Sequence, residues 1–268
     1  MRIPKAAARL VMAGLVRPTY GPPVPVRVQR AVGDALGRVQ RLPRDVPVTG
    51  VVLGGVRAVR YGAPSGTAVV WAHGGAFLTG SARTHGSFAA HLARESGATV
   101  YLPDYRLAPE HAHPAAVDDL VAAVRAVPEA RVVLGGDSAG GCLALLAAPS
   151  VSVAGLALVS PVVDLTRASS SAWTRGDVVV RSSWAAQGIG AMFPSGLPAV
   201  PDPVVPTVVH VAEVERLRPE GEALAARTGA ELYLVPGGWH DIHLQCDGVR
   251  DAREAVRALG ASVRRMLA

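Results

Sequence analysis

A serine set among small residues is the clearest chemical feature of the sequence. The segment Gly136-Asp137-Ser138-Ala139-Gly140-Gly141 has the Gly-x-Ser-x-Gly pattern of a nucleophile elbow. It follows an apolar run at 131–134 and precedes an apolar run at 142–148, the strand–turn–helix context in which this pattern presents a serine. The pattern therefore predicts that Ser138 is a nucleophile at the start of a helix. The alternative is a glycine-rich turn that binds a phosphate.

A serine hydroxyl becomes a good nucleophile only when a base removes its proton, and His240 is the predicted base. His240 follows the last predicted strand, at the carboxyl end where an α/β sheet places its site. It also follows the serine along the chain, as in α/β-hydrolases. His243 is the nearest alternative, but it lies farther from the strand end. His73, His111 and His113 precede the serine and are expected to be structural.

Two successive glycines predict a site for a negative oxygen. The segment His73-Gly74-Gly75-Ala76-Phe77 follows a predicted strand that ends at Ala72. Glycine lets the backbone approach a ligand closely and turn its amides toward it. We predict that the amides of Gly74, Gly75 and Ala139 bind the oxyanion of a tetrahedral intermediate. The alternative is an ordinary tight turn.

Short apolar runs and helical patterns alternate along the chain, which predicts the elements that position these residues. Runs of four to six residues bounded by Gly or Pro are typical of strands buried on both faces. Their alternation with helices predicts an α/β fold with a mainly parallel sheet flanked by helices. The alternating pattern of 48–61, broken at Gly54-Gly55, predicts an antiparallel edge hairpin. The predicted strands are 67–72, 98–102, 131–134, 155–159, 207–211 and 231–235. The predicted helices are 84–96, one over 117–124 before Pro128, 142–148, a short one ending near Gly229, and 249–267.

Composition excludes several classes of protein. Of 268 residues, 50% are hydrophobic and 18% charged, which excludes a disordered chain. The net charge is +6, but the basic residues are scattered and no run is longer than Arg264-Arg265, so we expect no nucleic-acid partner. The two cysteines, Cys142 and Cys246, cannot make a disulfide framework. No apolar run reaches the ~18 residues of a membrane span.

The first residues imitate a signal peptide without meeting its requirements. Basic residues precede a run of only seven apolar residues, 10–16, and Arg17-Pro18 follows without a small-residue cleavage site. This pattern predicts an amphipathic first helix and a cytoplasmic protein. Residues 18–47 are rich in Pro and Arg and are interpreted as a loose arm or partial helix.

Three blocks together resemble the hormone-sensitive-lipase-like esterases (bacterial family IV) of the α/β-hydrolase fold. His73-Gly74-Gly75-Ala76-Phe77 resembles the family's HGGG motif, with Ala76 at the third glycine. The block from Asp104 to His111, continuing from Pro114 to Asp119, resembles DYRLAPEH…PAAVDD, and 136–141 matches the GDSAGG elbow. The resemblance extends from about Val69 to the C-terminus. It implies an α/β-hydrolase fold, a serine triad and an oxyanion hole.

The same resemblance indicates the acid of the triad. The family's DPLRDEG-like stretch aligns with 215–224, so the acid falls on Glu215. Glutamate orients an imidazole as aspartate does in some α/β-hydrolases. Glu213 and Asp241 are the alternatives, although a side chain adjacent to His240 is expected to reach it poorly across a tight loop. Asp164 is expected to cap a loop.

Members of this family carry a cap, and two segments of this chain are its predicted counterparts. We expect one catalytic domain, 1–268, with reduced cap elements at 1–47 and 169–203. The second segment holds Trp173, Trp184, Met192 and Phe193, interpreted as an acyl-pocket wall with 10–16 opposite. Ordinary packing is the alternative for each of these residues.

These observations predict a serine carboxylesterase that hydrolyses short-chain carboxylic esters or lactones through an acyl-enzyme. No cofactor and no metal are implied, since His240-Asp241-Ile242-His243 lacks the His-Glu-x-x-His pattern. The expected partner is a small-molecule ester, and the expected state is a monomer or homodimer. The alternatives are amide hydrolysis, acyl transfer or lactonisation by the same triad, or a non-catalytic receptor on the same fold. A receptor is expected to lack part of the triad, whereas Ser138 and His240 are both present.

Overall fold

A computed structural model describes residues 3–169 and 176–268, and in this part of the chain eight strands form one sheet. The strand order is β1-β2-β4-β3-β5-β6-β7-β8, where β2 is antiparallel to both β1 and β4 and the other pairs are parallel. The mainly parallel sheet with an antiparallel edge hairpin is therefore confirmed. The strands are β1 (Val48–Leu53), β2 (Val56–Tyr61), β3 (Thr67–Ala72), β4 (Thr99–Pro103), β5 (Arg131–Asp137), β6 (Gly155–Val159), β7 (Thr207–Val214) and β8 (Glu231–Trp239).

Helices cover both faces of this sheet. A π-helical stretch, Met12–Val16, joins the first two helices, and short 3₁₀ turns occur at Ala148–Ser150 and Ile242–Gln245. No helix in the described residues has the length and apolar character needed to cross a membrane. The α-helices are α1 (Lys5–Val11), α2 (Arg17–Thr19), α3 (Val26–Val39), α4 (Gly86–Ser96), α5 (Ala115–Arg125), α6 (Ala139–Ala147), α7 (Leu165–Ser169), α8 (Ser182–Met192), α9 (Arg218–Thr228) and α10 (Arg250–Leu267).

The strands carry one hydrophobic core on each face, because successive side chains point to opposite sides. On one face Leu134 packs in a cluster with Leu120 of α5 and Leu143 of α6. On the other face Trp71 packs in a cluster with Phe88 of α4 and Val256 of α10. Burial on both faces explains why these strands appear in the sequence as continuous apolar runs.

Three strands continue past the ends predicted from the sequence. Strand β5 runs on to Asp137, β7 to Val214 and β8 to Trp239, whereas the predicted runs ended at 134, 211 and 235. Glycine after Leu134 and proline after Val235 looked like terminators of β5 and β8, but pairing with parallel neighbours continues: Gly136 pairs with Leu158 of β6. Sheet pairing thus overrides the weak strand preference of glycine.

The first predicted cap segment is helical and is anchored to the far end of the chain. Lys5 Nζ donates a hydrogen bond to the Pro236 carbonyl and pairs with the Asp251 carboxylate, each at 2.6 Å. The amide of Ile3 donates to the Gly248 carbonyl at 3.0 Å. Segment 18–47, interpreted as a loose arm or partial helix, contains the fourteen-residue helix α3.

The two predicted cap segments contact each other. The rings of Tyr20 and Trp184 lie with their centroids 4.7 Å apart. Arg181 donates through Nε to the Tyr20 carbonyl at 3.0 Å and through a terminal nitrogen to the Pro22 carbonyl at 2.8 Å. Trp173, also assigned to the cap from the sequence, lies outside the described residues.

Helix α8 lies directly against the loop that follows β3, and a glycine makes this approach possible. A Cβ added at Gly188 would overlap the Ala76 carbonyl oxygen and lie 2.9 Å from its carbon. A Cβ added at Gly190, two residues later in the same helix, would meet nothing within 4 Å. The two glycines are therefore a matched pair, one crowded and one open.

We predict that Gly188→Ala lowers the free energy of unfolding by about 1–3 kcal/mol, the usual cost of overpacking. Gly190→Ala is expected to raise it by up to about 1 kcal/mol, because alanine is the better helix former. Urea unfolding followed by circular dichroism measures both. Equal stability of the two variants would contradict the close approach of α8 to Ala76.

Candidate active site

Ser138 occupies the sharp turn between β5 and α6. Its backbone has φ 53° and ψ −120°, a conformation that non-glycine residues rarely adopt, and its amide donates to the Val159 carbonyl at 2.9 Å. A Cβ added at Gly140 would overlap the Ala72 carbonyl oxygen and lie 2.6 Å from that of His73. The small residues of the motif are therefore required by the close approach of α6 to the end of β3.

Three predicted residues meet at the carboxyl ends of β5, β7 and β8. His240 Nε2 lies 2.9 Å from Ser138 Oγ, and His240 Nδ1 lies 3.0 Å from Glu215 Oε2. The other oxygen of Glu215 accepts the Ala212 amide at 2.8 Å, which fixes the carboxylate. All three side chains are buried. This is the geometry that a nucleophile, a base and an acid that orients the base require.

Two of the alternatives weighed from the sequence, Glu213 and His243, have other partners. Glu213 accepts the Gly237 amide at 2.6 Å, and His243 Nε2 lies 3.1 Å from His210 Nδ1. Asp164 accepts the Arg167 amide at 2.9 Å at the start of α7, a capping role of the kind expected. His73 stacks on Tyr105 with ring centroids 4.3 Å apart, so it takes part in packing.

The expectation that Asp241 reaches His240 poorly is wrong. Asp241 Oδ2 lies 3.1 Å from His240 Nε2, the same nitrogen that faces Ser138. The reason is a left-handed backbone at Asp241, with φ 52°, which brings the carboxylate to the imidazole. Because Asp241 contacts Nε2 and Glu215 contacts Nδ1, the carboxylate that holds the far side of the ring is that of Glu215.

Two carboxylates therefore flank one buried imidazole and set its charge. Burial lowers the pKa of His240, but Asp241 first and Glu215 second outweigh it and hold this pKa well above its ordinary value. The pKa of Asp241 is raised to about 7. Burial is the main cause, Asp137 and Glu215 also raise it, and His240 lowers it. Protonated His240 is thus unusually stable in this site.

The loop after β3 requires one correction to the predicted oxyanion donors. The Gly74 amide donates to Asp137 Oδ2 at 2.9 Å, so it is not free to bind a ligand oxygen while this bond holds. In the described part of the chain, the amides of Gly75, Ala76 and Ala139 have no hydrogen-bond acceptor. Gly75, Ala76 and Phe77 all have positive φ, at 125°, 52° and 63°.

Asp137 has an organising position that the sequence reasoning missed. Besides the Gly74 amide, its buried carboxylate accepts Trp71 Nε1 at 2.7 Å and contacts His85 Nε2 at 3.0 Å. Burial disfavours the charged form of both Asp137 and His85, but the charge of each partner outweighs this effect on the other. Asp137 raises the pKa of His85, and His85 lowers the pKa of Asp137. The sequence does contain a signal for this role, namely an acidic residue inside the elbow motif. A carboxylate buried at that position needs several hydrogen-bond donors around it.

Two cavities meet at Ser138. The larger, about 110 Å³, is also lined by His240 and Asp241. The smaller, about 20 Å³, has Ala76 and Ala139 beside Ser138 and contains neither His240 nor Asp241. The remaining walls of the smaller cavity are apolar: Phe77, Val162, Ala168, Val180, Trp184, Ala185, Ile189 and Leu217. Across the described residues, no group of three or more His, Cys, Asp or Glu side chains is arranged to hold a metal ion.

Comparison with known proteins gives concordant relatives. Residues 69–244 match a protein family described as having the alpha/beta hydrolase fold. The chain is 30% identical to LipR of Mycobacterium tuberculosis over 98% of this chain and 95% of that protein. It is also 30% identical to an acetyl-hydrolase of Streptomyces hygroscopicus over 86% of each chain.

A solved structure agrees over the whole length. The crystal structure of an esterase from the bacterial hormone-sensitive lipase family superimposes with a TM-score of 0.88 at 25% identity, covering 99% of this chain and 100% of that one. The chain therefore belongs to the hormone-sensitive-lipase-like esterases of the α/β-hydrolase fold, and it is a carboxylic ester hydrolase.

Proposed function

We propose that the protein is a serine esterase that hydrolyses short-chain carboxylic esters or lactones through an acyl-enzyme. The observation that carries the proposal is the continuous hydrogen-bonded series from Ser138 through His240 to Glu215. A non-catalytic receptor would not need a serine within 2.9 Å of an imidazole that a carboxylate orients. The series supports nucleophilic catalysis because each member has the partner that its role requires.

In the first half of the reaction, Ser138 Oγ forms a bond to the ester carbonyl carbon while its proton passes to His240 Nε2. Glu215 holds the ring through Nδ1–H and stabilises the imidazolium. The carbonyl oxygen becomes an anion, which the amides of Gly75, Ala76 and Ala139 bind; Ala76 replaces Gly74 in this assignment. Nε2 then donates the proton to the alkoxy oxygen, the bond to the alcohol breaks, and an acyl-serine remains.

In the second half, water attacks the acyl carbon while His240 takes a proton from it. A second oxyanion forms at the same amides and collapses. The carboxylic acid leaves as Nε2 returns the proton to Ser138 Oγ. No other group is needed to balance protons in either half.

The two cavities are assigned by the direction of proton transfer. The leaving oxygen must receive its proton from His240 Nε2, so the alcohol belongs in the larger cavity, which His240 lines. The acyl chain then enters the smaller cavity, whose volume of about 20 Å³ holds a group near the size of one water molecule or methyl. This size supports short acyl groups, in agreement with the acetyl-hydrolase among the relatives.

The proposal predicts hydrolysis of p-nitrophenyl esters, fastest for acetate and falling toward octanoate. Ser138→Ala is expected to lose about 10⁴-fold or more in kcat, because the nucleophile is absent. A fluorophosphonate probe should label Ser138 in the wild type and leave Ser138→Ala unlabelled. If the wild type hydrolyses none of these esters and the probe does not label Ser138, the protein is not a serine esterase.

The orienting acid is tested by two neighbouring glutamates. Glu215→Gln is expected to lower kcat/KM roughly 10²- to 10⁴-fold, since the base loses its charged partner. It should also move the acid limb of the pH profile to lower pH: His240 acts as base only when neutral, and Glu215 helps to raise its pKa. Glu213→Gln is the control and should stay within about threefold of wild type. Wild-type activity in Glu215→Gln would refute the assignment.

The size limit is tested by two adjacent valines. Val180 lines the smaller cavity and Val179 the larger one. Val180→Ala is expected to raise the ratio of kcat/KM for butyrate over acetate by about tenfold, the value of burying two methylenes. Val179→Ala should leave this ratio unchanged. The cavity assignment fails if the two variants change the ratio alike.

A further inference from the structure

One carboxylate oxygen beside Ser138 is buried without a hydrogen-bond partner. Asp241 is 8% exposed and directs Oδ2 toward His240 Nε2, at 3.1 Å, while its Oδ1 has no donor in the described part of the chain. Burying an unpaired acceptor is unfavourable, and a carboxylate is the most demanding case. A group that supplies a donor to Oδ1 would therefore bind with a clear gain.

The backbone fixes this carboxylate in place. Asp241 has φ 52°, and its carbonyl accepts the Leu244 amide at 3.0 Å as the 3₁₀ turn Ile242–Gln245 begins. The carboxylate is thus held at the edge of the larger cavity by a closed turn. A fixed acceptor gains more from a matching ligand than a mobile one, because less side-chain freedom is lost on binding.

The position of Asp241 relative to the reaction follows from His240. Under the proposed function, Nε2 gives its proton to the leaving oxygen, so the first carbons of the alcohol lie beside Nε2. Asp241 Oδ2 is 3.1 Å from that nitrogen and both residues line the larger cavity. A substituent one or two bonds beyond the leaving oxygen is therefore within reach of Asp241.

The other polar groups of this cavity favour a hydroxyl as that substituent. Thr84 and His85 bond to each other at 2.7 Å, and Gln245 accepts Trp239 Nε1 at 3.0 Å. Trp184 also lines the cavity, and its buried indole Nε1–H has no acceptor in the described residues. Among the buried side-chain atoms of the described residues that line this cavity, Asp241 Oδ1 is thus an acceptor without a donor and Trp184 Nε1 a donor without an acceptor. A hydroxyl can donate and accept, whereas an alkyl group does neither.

We propose that Asp241 is a specificity-determining residue that accepts a hydrogen bond from a hydroxyl of the leaving alcohol. The site would then favour monoesters of diols and polyols over esters of plain alkanols. This inference rests on the proposed esterase function. The cavity of about 110 Å³ has room beside Asp241 for the first carbons of the alcohol and the hydroxyl that they carry.

Two substrates of almost equal shape test the proposal. In 2-hydroxyethyl acetate a hydroxyl replaces the terminal methyl of propyl acetate. We expect wild-type kcat/KM to be about tenfold higher for the hydroxyl ester, the value of one hydrogen bond to a charged acceptor. In Asp241→Gly, which accepts the positive φ and removes the carboxylate, this ratio should fall close to one.

Two further variants separate recognition from folding and from effects on His240. Asp241→Asn keeps the volume and tolerates the left-handed backbone, and its neutral amide should give a ratio below that of wild type. Glu213→Gln removes a carboxylate that lines neither cavity and should keep the wild-type ratio. Melting temperatures and circular dichroism establish that each variant is folded.

Three results would overturn the inference. The first is a wild-type ratio of one or less. The second is an unchanged ratio in Asp241→Gly: if Asp241 acted only on His240, both esters would change by the same factor. The third is no hydrolysis of either ester by the wild type, which contradicts the proposed function itself. Hydrolysis of both esters at equal rates contradicts only the role of Asp241, so the two failures are distinguishable.

Discussion

The buried carboxylate of Asp137 is the interaction on which the site depends. It accepts hydrogen bonds from the Trp71 indole of β3 and the Gly74 amide of the next loop and contacts the His85 ring, so one side chain joins the turn at Ser138 to the loop opposite it. A charge this deep is tolerated only because His85 compensates it and three donors surround it. Removing any of these partners leaves this buried carboxylate short of a donor directly beside Ser138.

The contacts of Asp137 explain how strained backbone persists around Ser138. Ser138, Ala76 and Phe77 all have positive φ, which side chains disfavour. Paired strands hold the first of them, since β5 lies between β3 and β6. Asp137 holds the loop of the other two through Gly74, and helix α8 rests on that loop at Gly188. In the described part of the chain the amides of Gly75 and Ala76 have no acceptors, and these contacts help to hold the loop in that conformation.

Sequence patterns predicted what depends on local context and missed what depends on contacts across space. Ser138 and His240 were found because each has a recognisable place after a strand. Glu215 was found only through a family resemblance, since no local pattern distinguishes it from Glu213. The role of Asp137, the partner of the Gly74 amide and the reach of Asp241 all depend on hydrogen bonds between distant residues or on a positive φ at an aspartate. Strand ends were placed early because sheet pairing overrides the weak strand preference of Gly136 and Pro236.

The bond from Lys5 to Pro236, and its pairing with Asp251, has a consequence for the order of assembly. These partners lie 231 and 246 residues farther along the chain, so the segment that begins with Lys5 is synthesised long before the residues that it binds. During synthesis the sheet can grow strand by strand while this segment remains undocked. The wall that Met12 and Val16 contribute to the larger cavity is therefore added only after β8 and the start of α10 have emerged. A nascent chain stalled before that point would have Ser138 and the loop after β3, but not an enclosed site.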